Sequence, residues 1–206
     1  MSTDHPVQID PTSPPRFDRI QLVLRLGIGV VLGWLGLEGG WFVALAFAAL
    51  PLIAAIAISS EGADGYLRDA APALWQVFDW LLRLSAYLML LVDRFPTDEH
   101  LDVTTQIRFT GRPTITSALL RFATSIPSLA ILGVLACLSS MLWPIAAATI
   151  VVARRVPAAI LAYQRGVLRW QARLLAYHAS LVVEYPPWAF DTDAPAPLAP
   201  ATAVAP

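Results

Sequence analysis

RGVLRWQARLLAYHASLVVEYPPWAF, residues 165–190, decides the fold of this chain. Its apolar residues recur at helical spacing until Pro186 and Pro187 end the run. Arg165, Arg169 and Arg173 stand four apart, so each is turned only about 40° from the last on a helix of ~3.6 residues per turn. Ala162, Ala176 and Ser180 continue that stripe, and Trp170 and Tyr177 flank it. An earlier stretch, WQVFDWLLRLSAYLMLLVDRFP at residues 75–96, is its partner. Laid on the first, it sets Trp80 on Trp170, Arg83 on Arg173, Tyr87 on Tyr177 and Leu91 on Leu181. Phe95-Pro96 then falls on Tyr185-Pro186.

Each stretch follows a pair of apolar runs. Residues 20–37 (IQLVLRLGIGVVLGWLGL) carry one charge, Arg25, and residues 41–58 (WFVALAFAALPLIAAIAI) carry none. Both lie at the short end of what crosses a bilayer as a helix. Glu38-Gly39-Gly40 reads as the turn between them, giving a hairpin over 20–58. Arg25, near the start of its run, is expected to snorkel toward headgroups. A second hairpin spans 115–153, with Leu120-Arg121 answering Leu24-Arg25, a tip at Ser139-Ser140, and Arg154-Arg155 as the stop. Amphipathic helices are expected at 72–92, where Asp79 and Arg83 pair at i,i+4, and at 157–184.

The remaining segments read as connections. Residues 1–19 are rich in Pro and polar side chains, a flexible tail. Within it Val7-Gln8-Ile9-Asp10 reads as a short extended piece, echoed by Thr105-Gln106-Ile107-Arg108 in the linker 97–114. Residues 191–206 alternate Ala and Pro and have too few packing residues to fold. The expected fold class is therefore an all-α integral membrane protein of two tandem repeats, 20–96 and 115–190. Each repeat is a transmembrane helical hairpin followed by an amphipathic interfacial helix, with Arg25 superposing on Arg121 and Trp80 on Trp170.

Composition points the same way. Hydrophobic residues make 57% and charged residues 14%, against roughly half and about a quarter in soluble domains. Such a chain has too little polar surface to cover its apolar bulk in water. The first apolar run follows a polar tail and is read as a retained span, not a cleaved signal. Net charge is −1, so no global field recruits nucleic acid. All fourteen basic residues are Arg, whose planar fork suits lipid phosphate.

No catalytic grouping emerges. Cys137 is alone in an apolar run, which excludes an intrachain disulfide and suggests a buried, inert thiol. Asp98-Glu99-His100 lacks the further ligands a metal site needs, so neither metal nor cofactor is expected. His5, His100 and His178 are scattered, and no Gly-rich phosphate loop is present.

LRWQARLLAY at 168–177, followed by EYPPW at 184–188, resembles a bacterial membrane family known as domain of unknown function 4389. The resemblance is close over 105–190 and loose over 7–96, where Asp79-Trp80-Leu81-Leu82-Arg83 and Phe95-Pro96-Thr97 depart from it. It implies membrane location and architecture and brings no activity.

The expected role is non-catalytic. The bilayer is the first partner, with anionic lipid headgroups or a membrane-protein partner, including a second copy, meeting the arginine-bearing helices. The candidate contacts are Arg165, Arg169, Arg173, Trp170, Tyr177 and Arg83. Basic residues flank the hairpins and are missing from their tips, which puts both termini on the cytoplasmic side of an inner or plasma membrane. The alternative is a six-span, repeat-built transporter or channel component.

Overall fold

A computed structural model describes residues 5–34, 40–97, 102–187 and 190, excepting the side chains of 40–46. The order is β1 (Val7–Pro11), α1 (Arg19–Trp34), α2 (Gly40–Gly65), a π-helical turn (Tyr66–Ala70), α3 (Ala71–Leu88), β2 (Val103–Ile107), α4 (Ile115–Thr124), α5 (Ile126–Ala153) and α6 (Ala158–His178). The chain is mostly helical. Two helical stretches, Phe47–Leu88 and Ile126–Ala153, are long and apolar enough to cross a membrane.

Residues 1–19 are not a free tail throughout. β1 pairs antiparallel with β2, Gln8 standing opposite Gln106, Val7 opposite Ile107 and Ile9 opposite Thr105. The two extended pieces seen in the sequence thus pair with each other, symmetrically about their glutamines. Val7, Ile9 and Val103 are buried against the helices, so alternation along the strands supplies the apolar face that holds them. The linker 97–114 contributes β2 and is fastened at its far end too. Thr110 N–H donates to Leu181 O at 3.2 Å, and the Thr110 hydroxyl donates to Glu184 Oε2 at 2.5 Å. Gly111 turns there at φ 74°, where a Cβ would stand 1.9 Å from Val183 Cγ2; only glycine fits without displacement.

The helices exchange partners between the two halves. α2 packs mainly against α4, α1 against α5, and α6 runs back along α5 and also meets α3 and β1. One core gathers β1, β2, α2, α3, α4 and α6 around Tyr66, Leu82, Tyr87 and Leu168. A smaller one joins Phe17 and Leu22 to Ala146, Ile150, Val156 and Ile160.

The second hairpin is not formed as expected. Ser139 and Ser140 lie inside α5, which runs unbroken to Ala153. Their hydroxyls are satisfied in place, Ser140 Oγ donating to Cys137 O at 2.7 Å and Ser139 Oγ to Gln164 Oε1 at 2.5 Å. Ser140 thus bonds back to the preceding turn of α5 and Ser139 reaches across to α6, so neither opens a turn. The chain bends earlier, at the α4–α5 junction on Ser125, where Pro127 lacks an N–H for the preceding turn. α4 begins on Thr114, which forms a reciprocal capping box with Ser117. Cys137 is exposed on α5 rather than buried. The tip Glu38-Gly39, the triplet Asp98-Glu99-His100 and the tail 191–206 lie outside the described residues.

Candidate functional site

α3 and α6 end alike, bond for bond. After α3, Leu90 adopts φ 60° and after α6 Ser180 adopts φ 62°. Leu90 N–H then donates to Tyr87 O at 3.2 Å and Leu91 N–H to Ala86 O at 3.0 Å. Ser180 N–H donates to Tyr177 O at 3.0 Å and Leu181 N–H to Ala176 O at 2.9 Å. Both are Schellman ends, which satisfy carbonyls a helix terminus leaves open.

An arginine from another helix closes each end. Arg25 donates through Nε to Tyr87 O at 2.9 Å and through Nη2 to Val92 O at 2.5 Å. Its guanidinium lies 4.2 Å from the Tyr87 ring centre. Arg121 donates through Nη1 to Tyr177 O at 2.5 Å and to Val182 O at 2.6 Å, and sits 4.5 Å from the Tyr177 ring centre. Tyr87 meets Phe95 edge-on at 5.5 Å, as Tyr177 meets Tyr185 at 5.1 Å. Arg25 is therefore buried and bonded rather than snorkelling. A cation at the negative end of a helix, with its hydrogens on carbonyls, is favoured on both counts.

The arginine stripe of α6 faces inward. Arg169 and Arg173 are 3% and 7% exposed, and Arg165 is half-buried. Arg169 donates from Nε to Ile9 O at 3.2 Å and from Nη2 to Asp10 Oδ1 at 3.0 Å. Arg165 reaches Ser13 Oγ at 3.0 Å. β1 thus occupies the face that was expected to meet lipid phosphate. α6 is buried by the rest of the protein around most of its circumference, so its arginine stripe is not an open face.

The other candidates scatter. Trp170 is 6% exposed whereas Trp80, its counterpart in the sequence alignment, is 47% exposed. Arg83 pairs with Asp79 at 2.8 Å on α3, and Asp79 accepts from the Thr105 hydroxyl on β2. Tyr177 belongs to the Arg121 cage. The six residues therefore form no single surface.

Reading the sequence for exposed stripes missed Arg25 and Arg121 as structural cations, although the repeated Leu-Arg pair marked them. It also missed His178. Its Nε2 lies 2.6 Å from Phe47 O and its Nδ1 3.0 Å from Ser125 Oγ, and the ring stacks on Phe47 at 4.0 Å. A carbonyl only accepts, so Nε2 carries the proton and Nδ1 receives the Ser125 hydroxyl. Burial lowers the imidazole pKa below its usual value, outweighing the backbone bonds that favour the cation. A His pKa depressed on folding gives stability that is complete above the unfolded value, near 6.5. That stability is lost as pH falls from there through the folded value. Unfolding in mild detergent should therefore become easier as the solution is acidified below that point. His178→Leu should flatten that part of the profile.

Arginines that do face outward gather elsewhere. Phe17 N–H donates to Arg154 O at 2.9 Å. This bond sets Phe17, which follows Arg16 and lies two residues before Arg19 at the start of α1, against Arg154, the residue that caps α5 and precedes Arg155. All four are exposed, and among the described residues none of their guanidinium groups bonds the protein. Among those residues no three His, Cys, Asp or Glu side chains gather as a metal site. No curated protein and no solved structure matches the chain. A family model described as "Domain of unknown function (DUF4389)" matches residues 116–190.

Proposed function

We propose that this is a non-catalytic integral membrane protein built from two fused copies of one unit. We further propose that it meets anionic headgroups through a basic collar of Arg16, Arg19, Arg154 and Arg155. The collar carries the reading: a 28-residue apolar helix, exposed along most of its length, runs directly into Arg154-Arg155. Apolar spans that stop at arginine are the pattern of a cytoplasmic membrane boundary. The duplication is supported by the paired arginine cages, the paired Schellman ends and the strand pair centred on Gln8 and Gln106. Because β1 covers the α6 stripe, lipid phosphate is assigned to the collar instead.

Near an anionic surface each arginine contributes about 1 kcal/mol. Changing all four to Gln should therefore cut the ratio of phosphatidylglycerol to phosphatidylcholine copurifying from mixed vesicles by about tenfold or more. The wild-type ratio should itself fall as salt shortens the screening length to ~8 Å and below. An unchanged ratio in the quadruple variant, with the protein still inserted, would remove the lipid role.

A further inference from the structure

We propose that the cleft between α3, α5 and α6 binds an uncharged two-chain lipid with a free hydroxyl, of the diacylglycerol class; this rests on the reading that α5 spans the membrane. The cleft holds about 840 Å³, inside the range of about 300–1,000 Å³ typical of small-molecule sites. Its walls are apolar, led by Leu129, Leu132, Trp143 and Val167, and no charged side chain lines it.

Four polar side chains interrupt that wall, and two of them are already engaged: Ser139 with Gln164 and Ser140 with Cys137 O. Ser85 on α3 and Gln171 on α6 line the cleft half-buried and bond no other group among the described residues. An amide and a hydroxyl each donate and accept, which complements an alcohol. A phosphate headgroup would instead bring its charge against a wall with no cation, at a desolvation cost nothing there offsets. Apolar walls beside a spanning helix select a ligand that already resides in hydrocarbon.

Two chains also have separate seats. Trp143 is pinned by its Nε1–H on Leu88 O at 2.9 Å. A second hollow of about 520 Å³ shares Leu88 and Trp143 with the cleft and runs along Leu26, Gly29, Val30 and Gly33 of α1. Arg25, which borders that hollow, gives Nε to Tyr87 O and Nη2 to Val92 O and Asp93, with Nη1 left without a partner among the described residues. The indole thus stands as a partition with apolar space on either side.

The test uses the full chain in phosphatidylcholine nanodiscs with diacylglycerol bearing a diazirine in one acyl chain, and phosphatidylglycerol bearing the same chain. The diacylglycerol probe should label peptides containing residues 129–143 and 167–171. Excess unlabelled diacylglycerol should cut that labelling about fivefold or more, and phosphatidylglycerol should not. A Cβ built at Gly133 meets nothing within 4 Å, so Gly133→Trp fills the cleft without pressing on the backbone. It should lower labelling to the competed level while the unfolding temperature stays put. Gln171→Leu should weaken competition by the alcohol. Labelling that ignores the competitor or Gly133→Trp, or that phosphatidylglycerol competes equally, overturns the site. A chain that stays soluble without detergent and never enters the nanodiscs overturns the spanning reading instead.

Discussion

Replacing Arg121 with Ala should destabilise the protein by about 3–5 kcal/mol, measured by thermal or denaturant unfolding in mild detergent. The guanidinium satisfies Tyr177 O and Val182 O inside the protein. Without it Val182 O loses its donor and Tyr177 O keeps only the backbone N–H of the Schellman end, and charge-assisted bonds of this kind are worth about 1.5–3 kcal/mol each. The stacked Tyr177 ring adds a smaller cation–π contribution. Arg121→Lys should recover little, because a single ammonium cannot reproduce the planar fork over a ring and two carbonyls. Tyr177→Phe is the control. It keeps the ring and the backbone, losing only the hydroxyl bond to Thr124, and should cost under about 1.5 kcal/mol. Arg25→Ala should behave like Arg121→Ala, since its bonds to Tyr87 O and Val92 O are equivalent. Near-neutral values for both arginine variants would mean that the Schellman ends hold without them.

Arg169→Ala should cost about 2–4 kcal/mol and should release the N-terminal strand to protease first. The lower end reflects Asp10, whose side chain is 42% exposed and so partly solvated already. The larger share comes from Ile9 O and from the space the side chain fills beneath β1. The triple change of Arg165, Arg169 and Arg173 to Gln should accordingly give a poorly folded chain. The collar variant should give a folded chain with altered lipid. If instead the triple variant stays folded and only its lipid preference changes, α6 lies exposed and the inward stripe is wrong.

The contrast between those variants marks what the residues alone could reveal. Spacing identified α6 and the correspondence of Arg25 with Arg121, because helical period and repeated residue pairs are local signals, but it carried the helix to residue 184, whereas α6 stops at His178, where Ser180 turns left-handed well before the prolines. It also matched the two extended pieces, though not that they pair with each other. What spacing cannot distinguish is an arginine stripe facing headgroups from one facing carbonyls, since both need the same four-residue rhythm. The partner that decides it, β1, lies far away in sequence. Ser139-Ser140 misled for a related reason: serines mark turns when their hydroxyls draw the backbone out of the helix, but here Ser139 bonds the Gln164 side chain on α6 and Ser140 bonds back to Cys137 O in the preceding turn of its own helix. The cages at Tyr87 and Tyr177 were half legible. The cations repeated visibly, but their burial depends on helices that cross between halves.

The bond from Arg169 to Ile9 O joins residues 160 positions apart. During synthesis β1 emerges first and its strand partner follows only after Val103, while its helical cover arrives near the end. β1 must therefore wait for its strand partner until Val103–Ile107 is made, and for its helical cover until the last helix is made. Contacts of such long sequence separation bear their loop-closure entropy before they return any stability. Assembly of this protein is thus timed by its final helix, and a chain halted before α6 would leave the strand pair without the helix that covers it.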